Sequence, residues 1–470
     1  MKKLICIYIL SLLSISISHA NDLLDDFIND PLLKNSNISL LIKDIDSDTP
    51  LYEYRADHSQ IPASTMKVVT TATAIELLGG DFRFETKLQI QDEITEDGTL
   101  NGNLYIVGGG DPTLGSNMLG SRDFFKFWVY GIKRAGIQKI NGSIVVDESI
   151  FEPDGYNNRW LWEDMGNYYA PGIYGVSYLD NTIRVHFKSG PVGTCPEIIR
   201  MNPEVPGLVL ENHLLCTNIG KDSAYFHGAP KSYTRTICGE VPANKDVFIA
   251  KAELPNPGLL LAQHLHDALI DSNIPVSFPP YEERGNKAER KTIYTHYSPS
   301  LSRIIKEINF TSNNHYAEHV FKYLALQKNA TGTNNGAVNV IREFWTEKGL
   351  PVEQLFMYDG SGLSPSNAVS ARFMVELLTY MKKDSNNTLF FESLPVGGKS
   401  GTIAWLWNKS PLEGKVHAKS GSINRVRCYS GYVDKGEKTY AFSIMINNYP
   451  TDNPRQIIRK IEQFLISAMQ

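Results

Sequence analysis

The chain has 470 residues, with 46 Lys and Arg against 51 Asp and Glu, a formal charge of −5. That length exceeds what one hydrophobic core serves, so two or three domains are expected, and the acidic balance argues against nucleic acid as a partner. Five cysteines are far too few for a disulfide scaffold.

The first twenty residues read as a secretory signal peptide. Lys2 and Lys3 precede an apolar run from Leu4 to Ile17, and Ser18-His19-Ala20 is a small-x-small cleavage site. Export to the periplasm through this cleavable signal is therefore expected. No later segment is apolar enough for a transmembrane span. In an oxidising compartment the cluster of Cys195, Cys216 and Cys238 suggests one local bridge. Cys216 to Cys238 is the expected pairing, because the residues before each read as two strands that could pair. Cys428 reads as a buried free thiol.

Residues 37–56 read as a hairpin around an Asp-Ser-Asp-Thr-Pro turn. The small and apolar residues after Ser64 predict the start of a buried helix. Short strands follow near 87–91, 102–107 and 142–147, with a helix over 122–135 among them. From 160 to 241 the chain reads as strand and loop. A helix is predicted over 259–271, and after 294 the periodicity is helical over 300–307, 316–327, 337–348 and 371–382. Strands near 415–433 and 439–447 and a closing helix over 454–469 complete the chain. This order implies one α/β domain split in sequence around a strand-rich insertion.

Ser64-Thr-Met-Lys67 is the single Ser-x-x-Lys of the chain. On a helix the two side chains share a face, and a serine hydroxyl becomes a useful nucleophile when a neighbouring base takes its proton. Burial and the positive end of the helix dipole favour the neutral amine that such a base requires. A capping Ser followed by a surface Lys is the bland alternative. An acylase of this kind needs a Ser-x-Asn and a Lys-Ser/Thr-Gly as well. Each occurs three times: Ser-x-Asn from Ser312, Ser385 and Ser422, and Lys-Ser-Gly from Lys188, Lys399 and Lys419. Context selects Ser312, on a turn between predicted helices, and Lys419, within a predicted strand that has a partner.

In these motifs the chain resembles the class C low-molecular-mass penicillin-binding proteins, the D-alanyl-D-alanine carboxypeptidase/endopeptidase family (peptidase family S13). Gly108-Gly-Gly-Asp-Pro-Thr-Leu114, Val146-Asp-Glu-Ser-Ile-Phe151, Gly166-Asn-Tyr-Tyr-Ala-Pro171, Asp359-Gly-Ser-Gly-Leu-Ser364 and Leu394-Pro-Val-Gly-Gly398 carry the likeness over nearly the whole chain. The resemblance implies an α/β (α+β) serine β-lactamase/transpeptidase-like domain, 21–87 and 295–470, with two inserted mainly-β domains, 88–159 with 242–294 and 160–241. It implies Ser64 as the acylated nucleophile, Lys67 as its base and Ser312 as a proton relay. Asn314 would bind the substrate amide, and Lys419 and Ser420 the terminal D-Ala carboxylate. The backbone amides of Ser64 and Ser422 would form the oxyanion hole.

Two departures stand out. Ser420 replaces the commoner Thr, and Pro365 stands where many members carry an Arg for the stem-peptide side chain. Asp147 and Phe151 match the other wall of that subsite. The expected activity is a serine-type D-Ala-D-Ala carboxypeptidase, with DD-endopeptidase action, on peptidoglycan stem peptides, and β-lactams would be covalent inhibitors. A β-lactamase and a non-catalytic penicillin-binding sensor or scaffold are the alternatives. No cofactor and no metal is called for: His315 and His319 lack an evident third ligand, and Gly108-Gly-Gly-Asp111 lacks the ending of a phosphate loop. The Trp405 and Trp407 pair reads as a packed loop. A homodimer is left open.

Overall fold

The structure is a computed structural model that describes residues 22–470 apart from 48, 122, 222, 286–287 and 384–387. The signal-peptide reading and the Ser385 copy of Ser-x-Asn fall outside the described residues. The chain divides into two compact units. The first holds residues up to Gly80, Ile305–Asn313 and Val338–Gln470, and the second holds Asp81–Ile304 and Asn314–Ala337.

The first unit is built on a five-stranded sheet. Its strands are β1 (Asn37–Asp44), β2 (Pro50–Tyr54), β3 (Val416–Ile423), β4 (Val426–Lys435) and β5 (Lys438–Asn447), in the order β3-β4-β5-β1-β2. The predicted amino-terminal hairpin is present, and β1 pairs antiparallel with β5 from Asn37 opposite Asn447 to Asp44 opposite Tyr440. Every residue of β1 after Asn37 is buried, because a strand with neighbours on both sides and covered faces reads as a continuous apolar run. β3 is the outermost strand of the sheet and pairs along its length with β4, Lys419 lying opposite Ser430, while its other side is bridged at His417 by Val396.

Helix α1 (Met66–Leu78) is buried from Met66 to Ile75 and ends at Gly79. A helix apolar all round belongs in a core. Helices α2 (Leu301–Thr311), α3 (Ala371–Lys383) and α4 (Pro454–Ala468) follow the expected periodicity. Phe464, Ile461 and Ile457 of α4 pack in one cluster with Ile38, Leu40 and Ile42 of β1.

The second unit carries a five-stranded sheet drawn from 85–147 and 281–297, and two three-stranded sheets drawn from 182–253. The segments before Cys216 and Cys238 do pair, as parallel strands Val209–Thr217 and Thr234–Pro242, but Cys216 lies opposite Val241 and Cys238 opposite His213. The expected bridge is therefore corrected. A three-residue offset is about 10 Å along a strand, beyond the reach of a disulfide, and all four described cysteines are free thiols.

Candidate active site

Ser64 occupies a 3₁₀ turn, Ala63–Thr65, that runs directly into α1. Ala63 is fully buried with φ +46°, a conformation costing a non-glycine residue on the order of 1 kcal/mol and kept only where its surroundings impose it. Gly362 is part of those surroundings. It has φ +78°, and a Cβ there would sit 1.9 Å from Ala63 O.

One turn on, the buried Lys67 places Nζ 3.0 Å from Ser64 Oγ and donates to Ser361 O at 2.7 Å. The Ser361 carbonyl belongs to a loop braced by Asp359. That carboxylate accepts from the Gly362 and Ser364 amides at 2.8 and 2.6 Å and from Asn367 Nδ2 at 2.7 Å. The loop is tied to α1 a second time where Thr70 Oγ1 donates to Gly360 O at 2.7 Å. The Lys67 amine thus reaches the Ser64 hydroxyl while the Ser361 carbonyl holds it, an arrangement that could serve a nucleophile, its base and a group that orients the base.

The edge strand β3 closes on this turn. A Cβ at Gly421 would lie 2.5 Å from Pro62 O and 3.1 Å from Ser64 N, so only glycine lets the strand come so near. Lys419, fully buried, donates to Ser312 Oγ at 2.8 Å and to Ser420 O at 2.7 Å. Burial first, then the charge of Lys67, hold its amine well below the usual lysine range. Ser312 itself sits just past the end of α2 with φ +64°. Asn309, on α2, donates to Thr71 Oγ1 of α1 at 3.3 Å and to Ser393 Oγ at 2.8 Å, which fixes the end of α2 against α1.

Ser420 Oγ donates to Thr402 Oγ1 at 2.9 Å. Ser422 is exposed and its Oγ accepts from Arg427 Nη1. The structure therefore brings Ser64, Lys67, Ser312, Lys419, Ser420 and Ser422 together in the first unit.

Asn314, Asp147 and Phe151 lie in the second unit. Asn314 opens the helix Asn314–Leu324 and donates to Tyr169 O at 2.8 Å. Asp147 is paired with the buried Arg290 at 2.8 Å, and Phe151 is wholly buried, 5.7 Å from the His319 ring. Both side chains are buried among these partners, and a part in the substrate subsite is proposed for them on the family resemblance alone.

The discarded motif copies have other partners. Lys399 is exposed in an ion pair with Glu413, and Lys188 ends an exposed strand position. Trp407 is buried against Tyr429 while Trp405 is exposed. His319 and His315 both approach Ser177 Oγ through Nε2, at 2.8 and 3.3 Å, and burial pushes His315 down to about 3. Among the described residues no group of three or more potential ligands gathers to hold a metal.

Sequence reasoning missed three contributors. Ser361 acts through its carbonyl, for which the turn-rich Asp-Gly-Ser-Gly was a usable signal. Thr402 follows a discarded Lys-Ser-Gly. Arg427 is defined only by cross-strand register with Ser422.

Residues 20–468 match the D-Ala-D-Ala carboxypeptidase 3 (S13) family. The chain belongs to that family. It is 26% identical over 446 residues to a D-alanyl-D-alanine carboxypeptidase of Actinomadura sp. (strain R39), covering 92% of this chain and 81% of the relative. It is 26% identical over 444 residues to the D-alanyl-D-alanine carboxypeptidase DacB of Haemophilus influenzae, covering 89% and 87%. The crystal structure of penicillin binding protein 4 (dacB) from Haemophilus influenzae superposes with a TM-score of 0.84 at 22% identity, covering 95% of this chain and 99% of that one. The family expected from the motifs and the transpeptidase-like fold are thus established.

Proposed function

We propose that the protein is a serine-type D-Ala-D-Ala carboxypeptidase acting on peptidoglycan stem peptides through an acyl-enzyme on Ser64. The observation that carries the mechanism is the 3.0 Å contact between Ser64 Oγ and a buried Lys67 whose amine is oriented by the Ser361 carbonyl.

In this reading Lys67 takes the Ser64 proton as Oγ attacks the carbonyl carbon of the penultimate D-Ala. The tetrahedral intermediate collapses to an ester, and the terminal D-Ala leaves as an amine that receives the proton, with Ser312 as the relay. Water then attacks the ester, giving its proton to Lys67, and the Ser64 hydroxyl is restored as the shortened peptide leaves. The backbone amides of Ser64 and Ser422 serve the developing oxyanion. The Lys419–Ser420 edge takes the terminal carboxylate, and Asn314 is assigned the substrate amide. Cross-link cleavage is the same chemistry with a longer leaving amine. A β-lactam ring opened by Ser64 leaves an ester without an amine that can depart, which makes such compounds covalent inhibitors.

The Lys2-Lys3 start and small-residue cleavage site support export to the periplasm, and no described helix is long and apolar enough to cross a membrane. The separate sheets of the second unit support a reading as two inserted domains.

Peptide mass spectrometry after incubation with benzylpenicillin tests the proposal. A stable adduct on the peptide holding Ser64, absent in Ser64→Ala, is expected, together with release of D-Ala from a D-Ala-D-Ala peptide. Rapid loss of the adduct would indicate a β-lactamase instead. An adduct without D-Ala release would indicate a sensor or scaffold.

A further inference from the structure

Resting on the reading of Ser64 as an acylated nucleophile, we infer that Arg427 is a specificity-determining residue that supplies the cation facing the substrate's terminal carboxylate, across the Ser420 and Ser422 hydroxyls. Side chains alternate along a strand, so Ser420 and Ser422 lie on one face of β3 while Lys419 and Gly421 lie on the other. Lys419 is fully buried, and its amine turns to Ser312 Oγ and to the Ser420 carbonyl. Its amine is directed to the interior of the site.

Ser422 is exposed and immediately follows Gly421, the residue nearest to the Ser64 turn. Arg427 stands directly opposite Ser422 across the β3–β4 ladder. None of the Arg427 hydrogen bonds reaches a carboxylate. Nη1 donates to Ser422 Oγ, to Val426 O at 2.8 Å and to Ile423 O at 3.4 Å, and Nε is buried without an acceptor. A half-buried guanidinium beside the Ser422 hydroxyl, with Ser420 on the same face of β3, is a receptor for a carboxylate. The hydroxyls supply short contacts and the guanidinium supplies the charge. Because β3 is an edge strand, a substrate lying along it meets this face beside the nucleophile.

The test compares acylation of the full chain by benzylpenicillin and by its methyl ester, which differ only in that carboxylate. Arg427→Gln should slow acylation by the free acid about 10- to 100-fold, the range of one charge-assisted hydrogen bond, and leave the ester's rate unchanged. Arg427→Lys should recover part of the preference. Equal losses on both compounds would show a merely structural residue, and no loss on either would show that another group reads the carboxylate. Should Arg427→Gln melt at a lower temperature than the parent, the acid-to-ester ratio of Arg427→Lys decides between the same outcomes. A parent protein labelled by neither compound would instead overturn the Ser64 reading beneath the inference.

Discussion

Lys67 and Lys419 are both fully buried, and each amine depends on a few oxygen atoms: Ser64 and Ser361 for the first, Ser312 and Ser420 for the second. Burial first, then the neighbouring Lys67 charge, lower the Lys419 amine. Lys67→Arg keeps a charge that cannot be shed near neutral pH. It should lower the acylation rate at least ~10²-fold, within the range for loss of a general base, as followed by stopped-flow labelling with a fluorescent penicillin. Lys419→Ala removes the contact to Ser312 and should lower kcat/KM for a D-Ala-D-Ala peptide by about 10- to 100-fold. Lys399→Ala loses only an exposed ion pair, worth little, and should keep its activity. The opposite ranking in steady-state assays would assign the anchor to the other Lys-Ser-Gly.

At the scale of elements, the site is a meeting of one 3₁₀ turn, one braced loop and one edge strand, and the spacing among them is set by glycine. Gly421→Ala pushes a methyl against Pro62 O and Ser64 N. A displacement of about 1 Å at reacting atoms costs ~10² in rate, and a loss of that order in acylation, with a lowered melting temperature because the methyl meets backbone that must shift, is the expected result. The strands, helices and motif copies were largely legible because they rest on local pattern: the hydrophobic run after Lys67, the turn at Ser312, the strand around Lys419. The loop carbonyl of Ser361 was not, since any residue type can present a carbonyl. Arg427 was not, because its position depends on the register of β3 on β4. Cys216 and Cys238 show the same limit. That their strands pair could be read from composition, whereas the parallel direction and three-residue offset that separate the thiols could not.

For the whole molecule, the Gly108-Gly-Gly-Asp111 segment is interior structure with its own pH signature. Asp111 is fully buried; one carboxylate oxygen accepts from Thr113 N and Oγ1 at 2.8 and 2.7 Å, and the other has no partner. Burial outweighs those bonds and raises the carboxyl to about 6. The folded state therefore keeps the proton up to about pH 6, whereas an unfolded chain releases it near pH ~4. The stabilisation by the protonated acid is complete below about pH 4 and is lost as the pH rises to 6, a difference on the order of 3 kcal/mol. Asp111→Asn carries its hydrogens at every pH. It should melt like the parent at pH 4 and at a higher temperature at pH 8, and calorimetry at the two values checks this.

The sheet of the first unit joins strands from opposite ends of the chain, with Asn37 paired to Asn447. Ser64 is thus made early, and β3, the strand that packs against its turn, is made late. Ends so far apart come together slowly, because the long intervening loop must be closed before any contact rewards it. A growing or prematurely ended chain that lacks β3, β4 and β5 holds Ser64 and Lys67 but neither Lys419 nor the central neighbour of β1. On the proposed reading, the contacts around Ser64 are complete only once the carboxy-terminal strands have been made and have joined β1.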